Sequence, residues 1–331
     1  MEGFNALLPT LYCGNMIGST LVQVTPSSVR LIDAVSFQLL SEYVSEKTIT
    51  LASGNAVQVA IAMTGGALLS LEVESRVNRT LKLVGSTHLD QDVASVSLRP
   101  FSSDASGSSK TADSMDVDTE SSEYLVQDGG VSALKSSLIA VAMWTDNSVR
   151  LLALPTLQEV CRVQLGTETQ ARDILMVELQ GRVFVMVGLG DGHLITYNLD
   201  IKRNGELPSL SNKRKGVLGT HAISFDCFEN QGETCVFASC DRPTVIYARS
   251  GKLLFSVINV AHAQMTRMTP FHSQLFPNCI AMSSESSLMI GVIHDIQKVH
   301  IQTVPLGESP RRIAFNSSAD AYGGKLSLIL S

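Results

Sequence analysis

Apolar positions along this chain gather into short runs that come in pairs: one β-type run, a tight turn, then a second run with alternating character. The pairs are LVQVT with SVRLID (21–33), QVAIAM with ALLSLEV (58–73), and LIAVAMW with SVRLLAL (138–154). They continue as VFVMVGL with HLITYNL (183–199), CVFASC with PTVIYAR (235–249), and CIAMSS with LMIGVIH (279–294). Most of the spacings fall near the period of about 40–45 residues that a four-stranded propeller blade occupies. A lone four-stranded sheet cannot cover both of its faces, whereas sheets stacked radially shield one another.

Further runs fit around the pairs. QLLSEYV (38–44), LKLVGST (81–87), LQEVCRVQL (157–165), LLFSVI (253–258) and QKVHIQTVPL (297–306) read as outer strands. ITLAS, VASVSL, RDILMVEL, SFDCF, MTRM and PRRIAF read as the inner strands that open successive blades. Six blades are marked in this way, and NSSADAYGG with KLSLILS offers only part of another. The pattern predicts an all-β fold, a seven-bladed β-propeller of four-stranded antiparallel blades with an imperfect closing blade. Either strands from both ends of the chain complete that blade, or the chain stops inside it. Residues 1–331 are expected to form a single domain.

One stretch breaks the period. Residues 101–128 (FSSDASGSSKTADSMDVDTESSEYLVQD) are rich in Ser, Asp and Thr, too polar to offset the entropy of ordering, and are expected to form a disordered acidic loop.

Composition narrows the chemistry. Apolar residues make up 44% of the chain and charged ones 17%, which suits a body with a large core. A net charge of −6 disfavours direct phosphate binding, so nucleic acid is not an expected ligand of this segment. The one basic cluster, Lys213, Arg214 and Lys215, reads as a solvated loop or a localisation signal. Cys13, Cys161, Cys227, Cys235, Cys240 and Cys279 are scattered and mostly lie in apolar runs, so free thiols in a reducing compartment are expected. No apolar run is long enough to span a membrane and no signal-like segment opens the chain, which predicts a soluble, intracellular protein.

Candidate catalytic features are weak. Gly188, Gly190 and Gly192 in GLGDG imitate a phosphate loop, but a strand follows where a helix is needed, and the same slot elsewhere holds TGG, TDN and CDR. A hairpin turn is therefore expected there. His262, His272, His294 and His300 lack metal-ligand spacing, and neither a GxSxG elbow nor an HExxH helix occurs. No cofactor, metal or enzymatic activity is expected. Trp144, the lone tryptophan, ends an apolar run at a turn, where an amphipathic ring serves either as an interface anchor or as packing beneath the loop.

Over nearly its whole length, in SCDRPTVIY (239–247), DIQKVHIQTVPLGESPRRI (295–313), LVQVTPSSVRLID, MWTDNSVRLLALP and VGLGDGHLITYNLD, the chain resembles a family of three-propeller scaffolds. That family includes the large subunits of the UV-damaged-DNA-binding complex and of the cleavage and polyadenylation specificity factor, and subunit 3 of splicing factor 3b. The similarity is to the middle propeller. It implies a noncatalytic adaptor that docks the N-terminal helices of cullin 4 in a ubiquitin ligase linked to DNA-damage repair, present in nucleus and cytoplasm. Substrate receptors would be held only by flanking propellers absent from this segment. By the same resemblance Trp144 matches the cullin-facing aromatic residue, and Asp92 matches an acidic position at which the family carries glutamate. The alternative the resemblance leaves open is a scaffold of an RNA-processing complex.

Overall fold

The computed structural model describes residues 3–74, 79–99, 135–201, 207–230, 232–258, 267–277, 279–284 and 287–293, and the backbone of 309–316 and 321–327. The chain separates into two units, Met1–His294 and Asp295–Ser331.

Within the first unit, antiparallel sheets follow one another with their strands in chain order. The first is β1 (Tyr12–Met16), β2 (Thr20–Val24), β3 (Ser28–Asp33) and β4 (Leu39–Val44). The second is β5 (Ile49–Gly54), β6 (Gln58–Met63), β7 (Ala67–Val73) and β8 (Leu81–His88). The third is β9 (Val93–Ser97), β10 (Leu138–Met143), β11 (Ser148–Ala153) and β12 (Gln158–Gln164). The fourth is β13 (Ala171–Leu179), β14 (Arg182–Leu189), β15 (His193–Asp200) and β16 (Ser209–Val217). The fifth is β17 (Ser224–Asn230), β18 (Glu233–Ser239), β19 (Thr244–Arg249) and β20 (Lys252–Val257), and the sixth is β21 (Arg267–Phe271), β22 (Cys279–Ser283) and β23 (Leu288–Gly291). The second unit contains a hairpin, β24 (Ser309–Asn316) with β25 (Ala321–Ser327), in which Ile313 faces Gly324.

These sheets are the blades of a β-propeller. The seven-bladed expectation is corrected: the described residues form six blades, five of four strands and one of three. Beyond them the described chain supplies only a two-stranded hairpin, and two strands are too few for another four-stranded blade. The stretches 297–306 and 101–128, read as an outer strand and an acidic loop, lie outside the described residues.

Burial explains why the paired runs were so apolar. Every residue of β6 and of β10 is buried, because each of these strands has another blade on both sides. The period-two geometry of a strand then divides the residues between two cores. Along β10, Leu138, Ala140 and Ala142 pack with Val185, Val187 and Ile195 of the fourth blade. Ile139, Val141 and Met143 pack with Ala60, Ala62 and Leu68 of the second. Truncating Ile139, which has 0% exposure, to alanine should cost about 2–5 kcal/mol.

The inner strands pack in sequence, β1 on β5, β5 on β9, β9 on β13, β13 on β17 and β17 on β21. Each presents an edge whose N–H groups need acceptors. Small polar side chains on the preceding inner strand supply them: Leu98 N donates to Ser53 Oγ at 3.0 Å, Ile174 N to Ser95 Oγ at 3.1 Å, and Met176 N to Ser97 Oγ at 2.9 Å. Phe225 N donates to Asp173 Oδ2 at 2.8 Å. This ladder runs along the inner strands, from Ser95 near the start of β9 to Leu98 just past its end, and the candidate site lies at the N-terminal ends of these strands.

Two strands differ from the sequence reading. β1 carries no long apolar run, and β16 contains the basic cluster Lys213, Arg214 and Lys215 that was expected as a loop. An outer strand buries little of either face, so its sequence need not alternate. β16 is exposed along most of its length, and Lys213 Nζ donates to the carbonyl of Leu165.

Candidate protein-docking face

One rim of the first unit is made by the turns between second and third strands together with the loops that enter the inner strands. Each turn is fastened to the next blade's entry loop. Leu89 N donates to Gly66 O at 2.8 Å, Leu165 N to Asn147 O at 2.9 Å, and Leu218 N to Gly192 O at 2.9 Å. Carboxylates reinforce the pattern. Asp191 Oδ2 accepts from Thr169 Oγ1 at 2.8 Å, and Asp241 Oδ1 accepts from Thr220 N at 2.8 Å and His221 N at 3.1 Å. Burial alone would raise both carboxyls, but these hydrogen bonds outweigh it and hold them below the usual carboxylate range.

Trp144 and Asp92 meet on this rim. Trp144 N donates to the Asp92 carbonyl at 3.1 Å, joining the β10–β11 turn to the start of β9. Asp92 is exposed, and its Oδ1 accepts from Gly65 N at 2.8 Å and Gly66 N at 3.2 Å. Gly66 has φ +79°, and a Cβ there would collide with the carbonyl oxygens of Leu89 and Gln91, so this turn requires glycine. The indole of Trp144 is half-buried, packed against the core between the third and fourth blades with part of its surface in solvent. Over it lies a residue the sequence reading missed: Arg172, at the start of β13, places its guanidinium carbon 4.8 Å from the ring centre.

Beneath the same turn lies Arg150, with a side chain only 1% exposed. It pairs with Asp146 at 2.8 Å, Asp90 at 3.4 Å and Glu159 at 3.6 Å, and its Nε donates to Ser148 Oγ at 3.3 Å. The hydrogen bond from Arg150 holds Asp90 below the usual carboxylate range. For Asp146, burial pushes upward, but hydrogen bonds from Ser148 and Arg150 prevail. The network stiffens the loop that presents Trp144. Its signal in the sequence was the acidic residue recurring in the turns TDN, GDG and CDR.

Other candidates lie elsewhere. GLGDG forms the β14–β15 hairpin turn, with Gly192 at φ +80° and Asp191 Oδ1 accepting from His193 N at 3.1 Å. His262, His294 and His300 lie outside the described residues. Among the described residues no group of three His, Cys, Asp or Glu side chains is placed to hold a metal, and no helix is long and apolar enough to cross a membrane. The six cysteines are free, with Cys13 exposed and four of the others buried. At the C-terminal ends of the inner strands, away from Trp144, a cavity of about 900 Å³ is lined by residues including Asn15, Arg99, Cys227, Glu229 and His272. Burial pushes the Cys227 thiol up, away from the thiolate that nucleophilic chemistry requires.

Comparison with known proteins gives this face its context. Residues 2–293 match the family model described as RSE1/DDB1/CPSF1 second beta-propeller. The chain belongs to this family. Among curated relatives, DNA damage-binding protein 1 of Oryza sativa subsp. japonica is 38% identical over 317 residues, covering 95% of this chain and 26% of the relative. DNA damage-binding protein 1 of Solanum lycopersicum is 36% identical over 324 residues, covering 97% and 26%. DNA damage-binding protein 1a of Arabidopsis thaliana is 35% identical over 325 residues, covering 98% and 26%. The chain therefore spans about a quarter of the length of these relatives. Its part in the RSE1/DDB1/CPSF1 architecture is the second propeller.

Proposed function

We propose that this chain is a noncatalytic scaffold module that docks the N-terminal helices of a cullin 4 through the rim bearing Trp144 and Asp92, within a ubiquitin ligase that responds to DNA damage. The supporting observation is the half-buried indole of Trp144, fixed beside Asp92 by a 3.1 Å backbone hydrogen bond on a rim stiffened by Arg150. A rigid aromatic ring that keeps part of its surface in solvent is the kind of anchor on which interface energy concentrates. The relatives are named for binding damaged DNA, but a net charge of −6 makes this segment a poor phosphate binder, so DNA contact belongs to other parts of such proteins. Ubiquitin transfer and substrate capture fall to other subunits and to flanking propellers, and the module acts in nucleus and cytoplasm without a cofactor.

A pull-down of cullin 4 by wild type and Trp144→Ala tests this reading. Truncation of the anchor should cost about 2 kcal/mol or more of binding. Equal recovery from both, with the fold intact by circular dichroism, contradicts the assignment of Trp144. The breadth of the family description, which also covers CPSF1, favours a second reading as an RNA-processing scaffold. Enrichment of polyadenylation or splicing subunits from nuclear extract, without cullin, would select it.

A further inference from the structure

Arg172 differs from the other arginine of this rim. Arg150 is enclosed by three carboxylates, whereas Arg172 is exposed and, among the described residues, has no carboxylate within ion-pairing distance. Its chain neighbour Asp173 is engaged on the far side of β13, accepting from Ser95 Oγ at 2.7 Å and Phe225 N at 2.8 Å. The guanidinium is nevertheless held in place. One face stacks on Trp144 at 4.8 Å, and Gly190 lies alongside, where an added Cβ would come within 3.4 Å of Arg172 Nε. A planar cation already stacked on an aromatic ring loses little freedom on binding, and its N–H fork matches a carboxylate.

We infer that Arg172 and Trp144 form a two-part receptor for a helix of the partner protein that carries an aspartate or glutamate about one turn from an apolar side chain. The carboxylate pairs with the guanidinium edge and the apolar group covers the open part of the indole. Residues three or four apart on a helix share one face, which supplies both groups at once. This rests on the docking reading above and adds to it the recognition chemistry and a further contact residue, Arg172.

The test measures affinity for the purified N-terminal helical fragment of cullin 4 at several salt concentrations, using wild type, Arg172→Ala, Arg172→Lys and Trp144→Ala, each checked by thermal melting. Arg172→Ala should bind roughly tenfold or more weakly and show a shallower salt dependence, as loss of a charged contact requires. Arg172→Lys should recover only part of the affinity, because it keeps the charge without the fork. Wild-type affinity in Arg172→Ala would overturn the inference while leaving the docking reading in place. Weaker binding of Arg172→Ala with unchanged salt dependence would also overturn it, since the arginine would then only hold the ring. Failure of the wild type to bind the fragment would overturn the docking reading and this inference with it.

Discussion

The hydroxyl of Ser95 on β9 donates to the carboxylate of Asp173 on β13 at 2.7 Å, while the other carboxylate oxygen accepts from Phe225 N on β17 at 2.8 Å. One side chain thus ties three consecutive blades. Burial pushes the Asp173 carboxyl up, although these hydrogen bonds favour its charged form. Removing it strands buried donors, each at a cost of about 1–3 kcal/mol. Asp173→Ala should therefore lower unfolding free energy by at least about 2 kcal/mol in urea titration. A loss within the usual surface range of about 0.5 kcal/mol would contradict the staple.

Asp226 gives a pH signature of opposite sign to most carboxylates. Burial, with the nearby Asp173 adding to it and Arg267 opposing, raises its carboxyl to about 6 from 3.8. Between about pH 4 and 6 the folded chain holds a proton that the unfolded chain releases, so this group's contribution to stability falls as pH rises through that window and levels off above it. Asp226→Asn should be more stable than wild type at pH 7, with the gap closing toward pH 4. Denaturant titrations at both pH values check this, and a gap independent of pH would refute it.

The Arg150 network predicts the reverse trend. Asp146 is held below the usual carboxylate range, so its contribution is fully present above about pH 4 and is lost as pH falls below it. Asp146→Asn should flatten the fall in melting temperature between pH 5 and pH 3. Because Asp146 lies at 2.8 Å and is 20% exposed, against 3.4 Å and 66% for Asp90, Asp146→Asn should also destabilise more than Asp90→Asn at neutral pH. Equal effects from the two would contradict the ranking.

Much of the fold was legible because the second and third strands lie between blades, and enclosure on both faces demands unbroken apolar runs such as LIAVAM in β10. The inner strands other than β1 could be read from their short β-branched or alternating segments. β1 and β16 were missed because strands with little burial carry no such constraint, and SLSNKRKGV is as suitable for a loop as for an outer edge. The blade number was overestimated because PRRIAF reads like an opening inner strand, whereas the described residues at 309–327 form only a hairpin. At the candidate site, Trp144 stood out by its turn and its uniqueness. Its proximity to Arg172 is a product of packing between the third and fourth blades, which no local pattern in the sequence records.

Trp144 is the only tryptophan in the chain, so fluorescence excited selectively at tryptophan reports on the proposed docking face alone. The most direct measurement is therefore a titration of this protein with a tryptophan-free N-terminal helical fragment of cullin 4, following emission and acrylamide quenching. Docking over the half-buried indole predicts a saturable blue shift with loss of quencher access. Binding of the fragment with the emission and quenching of Trp144 unchanged would contradict the account.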